Sequence, residues 1–320
     1  MRNKPILIVA GEPNSIFSEV LLKSLKYKNK KKFVLICSKT LFTKQMRKLG
    51  YNYNLNQIDD KSFNIHKLNF NKINIINVNY NFKKTFDKIS FKSNKYLENS
   101  FKIAFGLLKT KKFSGLINGP ISKRTFLKNR YFGITEYLAK KTKTKDFSML
   151  IYNKKLSVCP ITTHIPLKDV YKKLSKKIII KKIFLINKFY KYYFKKKPII
   201  AVCGLNPHCE SNYKTSEEKR IIKPAIKHLL KKKYSIYGPF PADTIFMKNN
   251  YSKFDVVVGM YHDQVLTPMK SLFEFDAINI TIGLPYLRIS PDHGPNEKMI
   301  GKNLSNPQSL IKAMDFFKNK

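Results

Sequence analysis

Three of the six histidines share a placement in the chain. His164 follows the apolar run 156–161, His208 follows 198–203, and His262 follows 255–260. Each stands just past the C-terminal end of a run that reads as a β-strand, and that is the edge where open α/β sheets bind ligands. Neutral imidazole binds zinc and other first-row divalent metals. Three imidazoles at one edge can make an open site with a position left for substrate. Unrelated loop histidines are the competing explanation for any one of them, and the shared placement argues for a site. His66 lies in a polar insertion, His228 on an expected surface helix and His293 in a late loop.

Carboxylates and a polar trio accompany the histidines. Asp243 lies in the turn-rich stretch Gly238-Pro-Phe-Pro-Ala-Asp-Thr244, and Asp263 is next to His262. Either could orient a ligand histidine, accept a substrate proton or bind the metal; Asp243 could equally cap a helix. Lys270, Asn279 and Arg288 are spaced nine apart and so share no helix face. Asn279 sits inside the apolar run 277–282, where a polar side chain needs a partner. A Lys/Asn/Arg group suits a phosphate or carboxylate, although Lys270 alone could be one more surface lysine. Gly119-Pro120 after the run 114–118, with a helix opening at Ile121-Ser-Lys123, makes a tight turn whose helix N-terminus could face an anion.

These residues need a scaffold. Apolar runs at 5–10, 32–37, 114–118, 147–152, 156–162, 198–203, 255–260 and 277–282 read as strands. Lysine-rich segments with helical periodicity lie between several of them, above all 167–196 and 216–232. Strands alternating with helices predict α/β units on a largely parallel sheet. Residues 52–81 are polar and asparagine-rich and are expected to form a loop or insertion. The 320 residues fit two modest domains better than one. No G-x-G-x-x-G follows the first strand and no phosphate-binding P-loop occurs, so a nucleotide would have to bind in another way.

Composition narrows the class further. No run reaches the ~18 apolar residues of a membrane span. The run 5–10 leads into Gly11-Glu12-Pro13 without a small-residue cleavage site and reads as a buried strand; a cytoplasmic location is expected. Cys37, Cys159, Cys203 and Cys209 form no C-x-x-C pair and are expected as free thiols. Cys203 and Cys209 flank His208, which leaves a soft-metal site as a lesser alternative. The formal net charge of +43 suggests nucleic acid, but only six of the 63 basic residues are arginine and the lysines form no block. Arginine is the preferred reader of phosphates and bases, so no specific nucleic-acid partner is expected.

In order along the chain stand Gly11-Glu12-Pro13, Asn118-Gly-Pro-Ile-Ser-Lys123, Thr135-Glu136, Thr162-Thr-His-Ile-Pro-Leu167, Gly204-Leu-Asn-Pro-His208, Gly238-Pro-Phe-Pro-Ala-Asp-Thr244, Tyr261-His-Asp-Gln264, Gly283-Leu-Pro285 and Asp292-His-Gly294. This ordered set resembles the 4-hydroxythreonine-4-phosphate dehydrogenase family of vitamin B6 biosynthesis from end to end. The resemblance implies an α/β, two-domain fold like isocitrate and isopropylmalate dehydrogenases, with a cleft between the domains. Residues 1–130 with 275–320 would form the first domain, and 131–274 the second, carrying the metal ligands and the dimer interface. It implies a homodimer, NAD or NADP as cofactor, and a divalent metal (Zn, Mg or Co) on His164, His208 and His262, shared across the dimer. Asp243, Asp263 and Lys270 would be catalytic, and Thr135, Lys270, Asn279 and Arg288 would contact the substrate.

The implied reaction is oxidation of 4-phosphooxy-L-threonine to 2-amino-3-oxo-4-phosphooxybutanoate, which decarboxylates to 3-amino-2-oxopropyl phosphate. The chain departs from the family at three places. The family's Gly-His-Thr-Glu reads Gly133-Ile134-Thr135-Glu136, its glycine-rich first turn reads Pro13-Asn-Ser-Ile-Phe-Ser-Glu19, and the stretch after His208 reads Cys209-Glu-Ser-Asn-Tyr213. Ile134 keeps open a related substrate, threonate or erythronate 4-phosphate.

Overall fold

The strand-like runs become strands because β-branched and aliphatic residues tile a sheet buried on both faces. The computed structural model describes residues 4–27, 32–128, 131, 133–209 and 215–317. Its strands are β1 (Ile6–Val9), β2 (Phe33–Cys37), β3 (Leu55–Gln57), β4 (Ile73–Asn77), β5 (Leu116–Asn118), β6 (Ser148–Tyr152), β7 (Ser157–Pro160), β8 (Ile200–Cys203), β9 (Ile236–Phe240), β10 (Val256–Gly259), β11 (Ile278–Ile282) and β12 (Arg288–Pro291). The helices are α1 (Phe17–Ser24), α2 (Lys39–Lys48), α3 (Asn94–Lys109), α4 (Ile134–Lys141), α5 (Val170–Lys173), α6 (Lys176–Phe194), α7 (Lys223–Lys231), α8 (Ala242–Ile245), α9 (Lys248–Tyr251), α10 (His262–Phe273) and α11 (Gln308–Phe316). All eight expected strands form. The region 52–81 is not a plain loop: it carries β3 and β4, which pair with each other and join β2.

The chain divides into two units, Met1–Ile134 with Tyr286–Lys320, and Thr135–Pro285. In the first, the strands run in the order β3-β4-β2-β1-β5-β12, and every pair is parallel. All four residues of β1 are fully buried. Against it packs α3, whose Tyr96, Leu97, Ser100, Phe101, Ala104, Leu107 and Leu108 recur at helical spacing on its buried face.

In the second unit the order is β11-β6-β7-β10-β8-β9. Only β6 runs against its neighbours, so the C-terminal ends of β7, β8, β10 and β11 share one edge. The sequence reading gives residues 275–285 to the first domain, but β11 pairs antiparallel with β6 and so stands in the second unit. Beneath the edge lies a core of Met149, Ile151, Val158, Ala201, Val257 and Val265 among others. No helix of the described residues is long and apolar enough to cross a membrane.

Candidate active site

The shared edge of the second unit carries the histidines. His164 lies past β7 and His208 past β8, both with left-handed backbone (φ 49° and 54°), which costs a non-glycine residue energy and marks constrained loops. His262 opens α10, whose first turn also carries Asp263. The His164 and His262 rings are 5.5 Å apart, centroid to centroid, tilted by 39°. Asp263 Oδ1 lies 2.7 Å from His262 Nδ1. A carboxylate on Nδ1 holds the proton there and leaves Nε2 as the lone-pair donor, the usual support of a metal-ligating histidine. The exposed His208 is not drawn into the same cluster: among the described residues, no group of three His, Cys, Asp or Glu side chains converges as a metal would require. One chain thus offers a two-imidazole pair, and this donor set suits a first-row divalent metal.

The loop that carries His208 is anchored at its start. Glu218 Oε1 accepts from the amides of Leu205 (2.8 Å) and Asn206 (2.9 Å), and its Oε2 accepts from Asn206 Nδ2 (2.9 Å). Burial alone would raise the Glu218 pKa, but these hydrogen bonds outweigh it and hold the carboxyl below its ordinary value. Asp243 is exposed, within the first turn of α8, and within electrostatic reach of the Cys209 thiol next to His208. It is not a helix cap; that position is Pro241. All four cysteines are free and buried. Of the stretch after His208, residues 210–213 lie outside the described residues.

Thr135, near the start of α4, is buried with Oγ1 3.5 Å from the Thr281 hydroxyl on β11. Asn279 is two residues before Thr281, hence on the same face of that strand. Its Oδ1 is buried and has no hydrogen-bond partner among the described residues, so an acceptor stands ready for a donor. Lys270 lies on α10, eight residues and so about two turns after His262. Arg288 belongs to the first unit, at the start of β12. It is fully buried, and its Nε donates to Asn118 Oδ1 at 2.7 Å. The segment 121–123 does not open a regular α-helix; a short wide turn, Lys123–Leu127, follows Ser122.

Sequence reasoning gave no role to Glu12. It lies three residues past β1, is 1% exposed, and among the described residues neither carboxylate oxygen makes a well-formed hydrogen bond. Burial raises its pKa from 4.5 to about 7; the Ser93 hydroxyl offsets part of the rise and the Glu297 charge adds to it. The motif Gly11-Glu12-Pro13 was the available signal, but the burial of a carboxylate is a tertiary fact. Beside it, Gly11 (φ 79°) and Gly119 face each other's loops: a Cβ on Gly11 would meet the Gly119 carbonyl carbon at 2.8 Å. These glycines let the two backbone segments approach closely.

An α/β chain with this strand order, and with histidines and carboxylates at the strand ends, falls in the isocitrate dehydrogenase fold class. It matches isocitrate dehydrogenase from Methylococcus capsulatus with a TM-score of 0.50 at 10% identity, over 96% of this chain and 83% of that one. The chain belongs to the family described as pyridoxal phosphate biosynthetic protein PdxA, whose family model matches residues 29–317. It is 40% identical over 317 residues to the 4-hydroxythreonine-4-phosphate dehydrogenase of Sulfurihydrogenibium sp. (strain YO3AOP1), covering 97% of this chain and 96% of the relative. The crystal structure of 4-hydroxythreonine-4-phosphate dehydrogenase from Klebsiella pneumoniae is similar at a TM-score of 0.85 and 28% identity, over 98% of each chain.

Proposed function

We propose that this chain is a 4-hydroxythreonine-4-phosphate dehydrogenase. It oxidises the C3 hydroxyl of 4-phosphooxy-L-threonine to a β-keto acid, which loses CO₂ to give 3-amino-2-oxopropyl phosphate. The observation that carries the reading is the family match along residues 29–317. His164, His208 and His262 would hold a divalent metal (Zn, Mg or Co), which when bound supplies Lewis-acid polarisation of the substrate's hydroxyl and carboxylate oxygens. NAD or NADP, when bound, would supply the hydride acceptor, and the protein supplies position and charge.

The chain's own residues divide the remaining work. Asp263 is tied to His262 and orients that ring. Asp243, exposed and near the His208 loop, is left to take the hydroxyl proton. Lys270 supplies positive charge for the phosphate and for the charge that CO₂ loss leaves behind. Thr135 and Asn279 offer a hydroxyl and an acceptor oxygen to the polar backbone of the substrate. Arg288, aimed by Asn118, presents a guanidinium suited to phosphate or carboxylate. The working form is a cytoplasmic homodimer whose metal ligands come from both subunits. The test is NADH or NADPH formation with 4-phosphooxy-L-threonine and with threonate and erythronate 4-phosphates, under added Zn, Mg or Co and after chelation. Turnover of 4-phosphooxy-L-threonine that chelation abolishes is expected. Preference for another phosphate, or indifference to chelation, would overturn the assignment.

A further inference from the structure

The loops that carry the three histidines are linked through the Met260 backbone and the Gln264 side chain. Met260 follows β10 and precedes His262 by two residues. Its carbonyl oxygen accepts twice from Thr162, from the amide at 3.2 Å and from Oγ1 at 2.8 Å. Thr162 precedes His164 by two residues. The Met260 amide donates to Gln264 Oε1 at 2.7 Å, and Gln264 Nε2 donates to the Gly204 carbonyl at 2.8 Å. Gly204 opens the loop that leads to His208. The chain of contacts therefore runs from the His164 loop through Met260 and Gln264 to the His208 loop.

The chemistry of this link admits few side chains. An amide N–H can only donate and a carbonyl can only accept. The bridging side chain must therefore present an acceptor to Met260 and a donor to Gly204, which fixes the orientation of the Gln264 amide. Glutamate has no donor at neutral pH, and leucine has neither group. Gln264 and Thr162 are both buried, so water does not compete for these bonds. Gly259 makes the space: a Cβ there would meet Gln264 Oε1 at 2.9 Å and crowd Val265 as well.

We propose that Gln264 and Thr162 are positioning residues that staple the three histidine-bearing loops through Met260 and so hold each imidazole in place for the subunit's share of a metal site. Gly259 is the residue that admits the staple. The inference rests on the metal reading for its consequence, not for its geometry. Loss of one link lets a loop shift without unfolding the sheet beneath it. Metal affinity then falls more than stability does, because ligand support from outside the coordination sphere typically carries roughly 10- to 100-fold in affinity.

The experiment compares Thr162→Val, Thr162→Ser, Gln264→Leu, Gln264→Glu and Gly259→Ala with the native protein. Co²⁺ affinity is read by its absorption bands and by calorimetry, and amide hydrogen exchange is read over 162–165, 204–209 and 260–264. Thr162→Val, Gln264→Leu, Gln264→Glu and Gly259→Ala are expected to weaken Co²⁺ binding by roughly 10- to 100-fold, while Thr162→Ser keeps native affinity. Gln264→Leu is also expected to speed exchange in 204–209, a segment it does not belong to. Val257→Ala, a core change under the same edge, should lower thermal stability and leave Co²⁺ affinity unchanged. Native affinity in Thr162→Val and Gln264→Leu would overturn the staple. If the native protein itself binds no Co²⁺, the metal reading fails and exchange decides the staple: faster exchange in 204–209 upholds it, and unchanged exchange overturns it.

Discussion

Glu12 is a buried carboxylate, and its cost depends on pH. Its pKa rises from 4.5 to about 7, chiefly by burial. Below pH 4.5 the acid is neutral in both the folded and the unfolded chain, so it carries no penalty. As pH climbs to about 7, the unfolded chain releases a proton that the folded chain keeps, and stability falls. Above that the penalty is complete, on the order of 3 kcal/mol. Glu12→Gln should therefore stabilise the protein by up to that amount at about pH 8 and by almost nothing at about pH 4. Urea unfolding at both pH values checks it; a gain of equal size at both would mean that packing, not charge, is at fault. Ile134 supplies a second residue-scale test. It opens α4 next to Thr135, at the position where the sequence resemblance implies a histidine. One hydrogen bond to a charged group is worth roughly 1.5–3 kcal/mol, so Ile134→His should raise kcat/KM on 4-phosphooxy-L-threonine by about ten- to a hundredfold. A fall there, with another phosphate preferred by the native chain, would mean that the substrate has changed. At this scale the sequence was legible where histidines follow strand ends. His164 and His262 stood out for that reason and do meet. Glu12 did not, because nothing in its neighbours along the chain announces that Ser93 and Glu297 will approach it.

At the scale of elements, strands written in valine and isoleucine were legible, and those written in asparagine, glycine or proline were not. β4 reads Ile73-Asn-Ile-Ile-Asn77 in an asparagine-rich region. Its Asn74 is 1% exposed and locally satisfied: Oδ1 accepts from the Asn69 amide and Asn56 Nδ2, and Nδ2 donates to the Asn69 carbonyl. Those partners come from the turn and from the adjoining β3, so a polar residue is admitted to a buried strand. β9 contains Gly238-Pro239, a turn signal by composition. It ends the second unit's strand order, and an edge strand tolerates a proline that lacks an N–H. β12 begins with buried Arg288, whose charge is satisfied in part by Asn118, a partner 170 residues away. The asparagine argument has a direct test. Asn74→Ala leaves two donors without their acceptor, at a cost of about 1–3 kcal/mol. The urea midpoint should fall accordingly with the slope unchanged. A change below about 0.5 kcal/mol would show that water replaces the side chain and that β4 does not depend on the network.

For the whole molecule the dominant quantity is charge. The chain carries 63 basic and 20 acidic residues, a formal +43. Ion pairs within the described residues include Lys23–Glu19, Lys172–Asp169, Lys181–Asp146 and Lys196–Asp255, and such pairs can engage at most a minority of so many lysines. Two readings of the excess make opposite demands. If it were a nucleic-acid device, the cations would be grouped on one surface, rich in arginine, and a complex would be sequence-selective. If it is a solvated lysine surface, it acts on the protein itself: like charges repel across the folded state and destabilise it. Screening sets in as the Debye length shrinks from about 30 Å at 0.01 M salt to about 8 Å at 0.15 M. The melting temperature should therefore rise by several degrees between those salt concentrations and flatten above them. An uncharged osmolyte gives no such saturation, which separates screening from general stabilisation by solute. Binding to duplex DNA should be sequence-blind and lost by about 0.2 M salt, because phosphate contacts release counterions and weaken steeply with salt. A sequence-selective complex that survives that salt would put the lysines to work as a binding surface. A melting temperature that falls over the low-salt range would show that the attractive pairs outweigh the repulsion among the unpaired lysines.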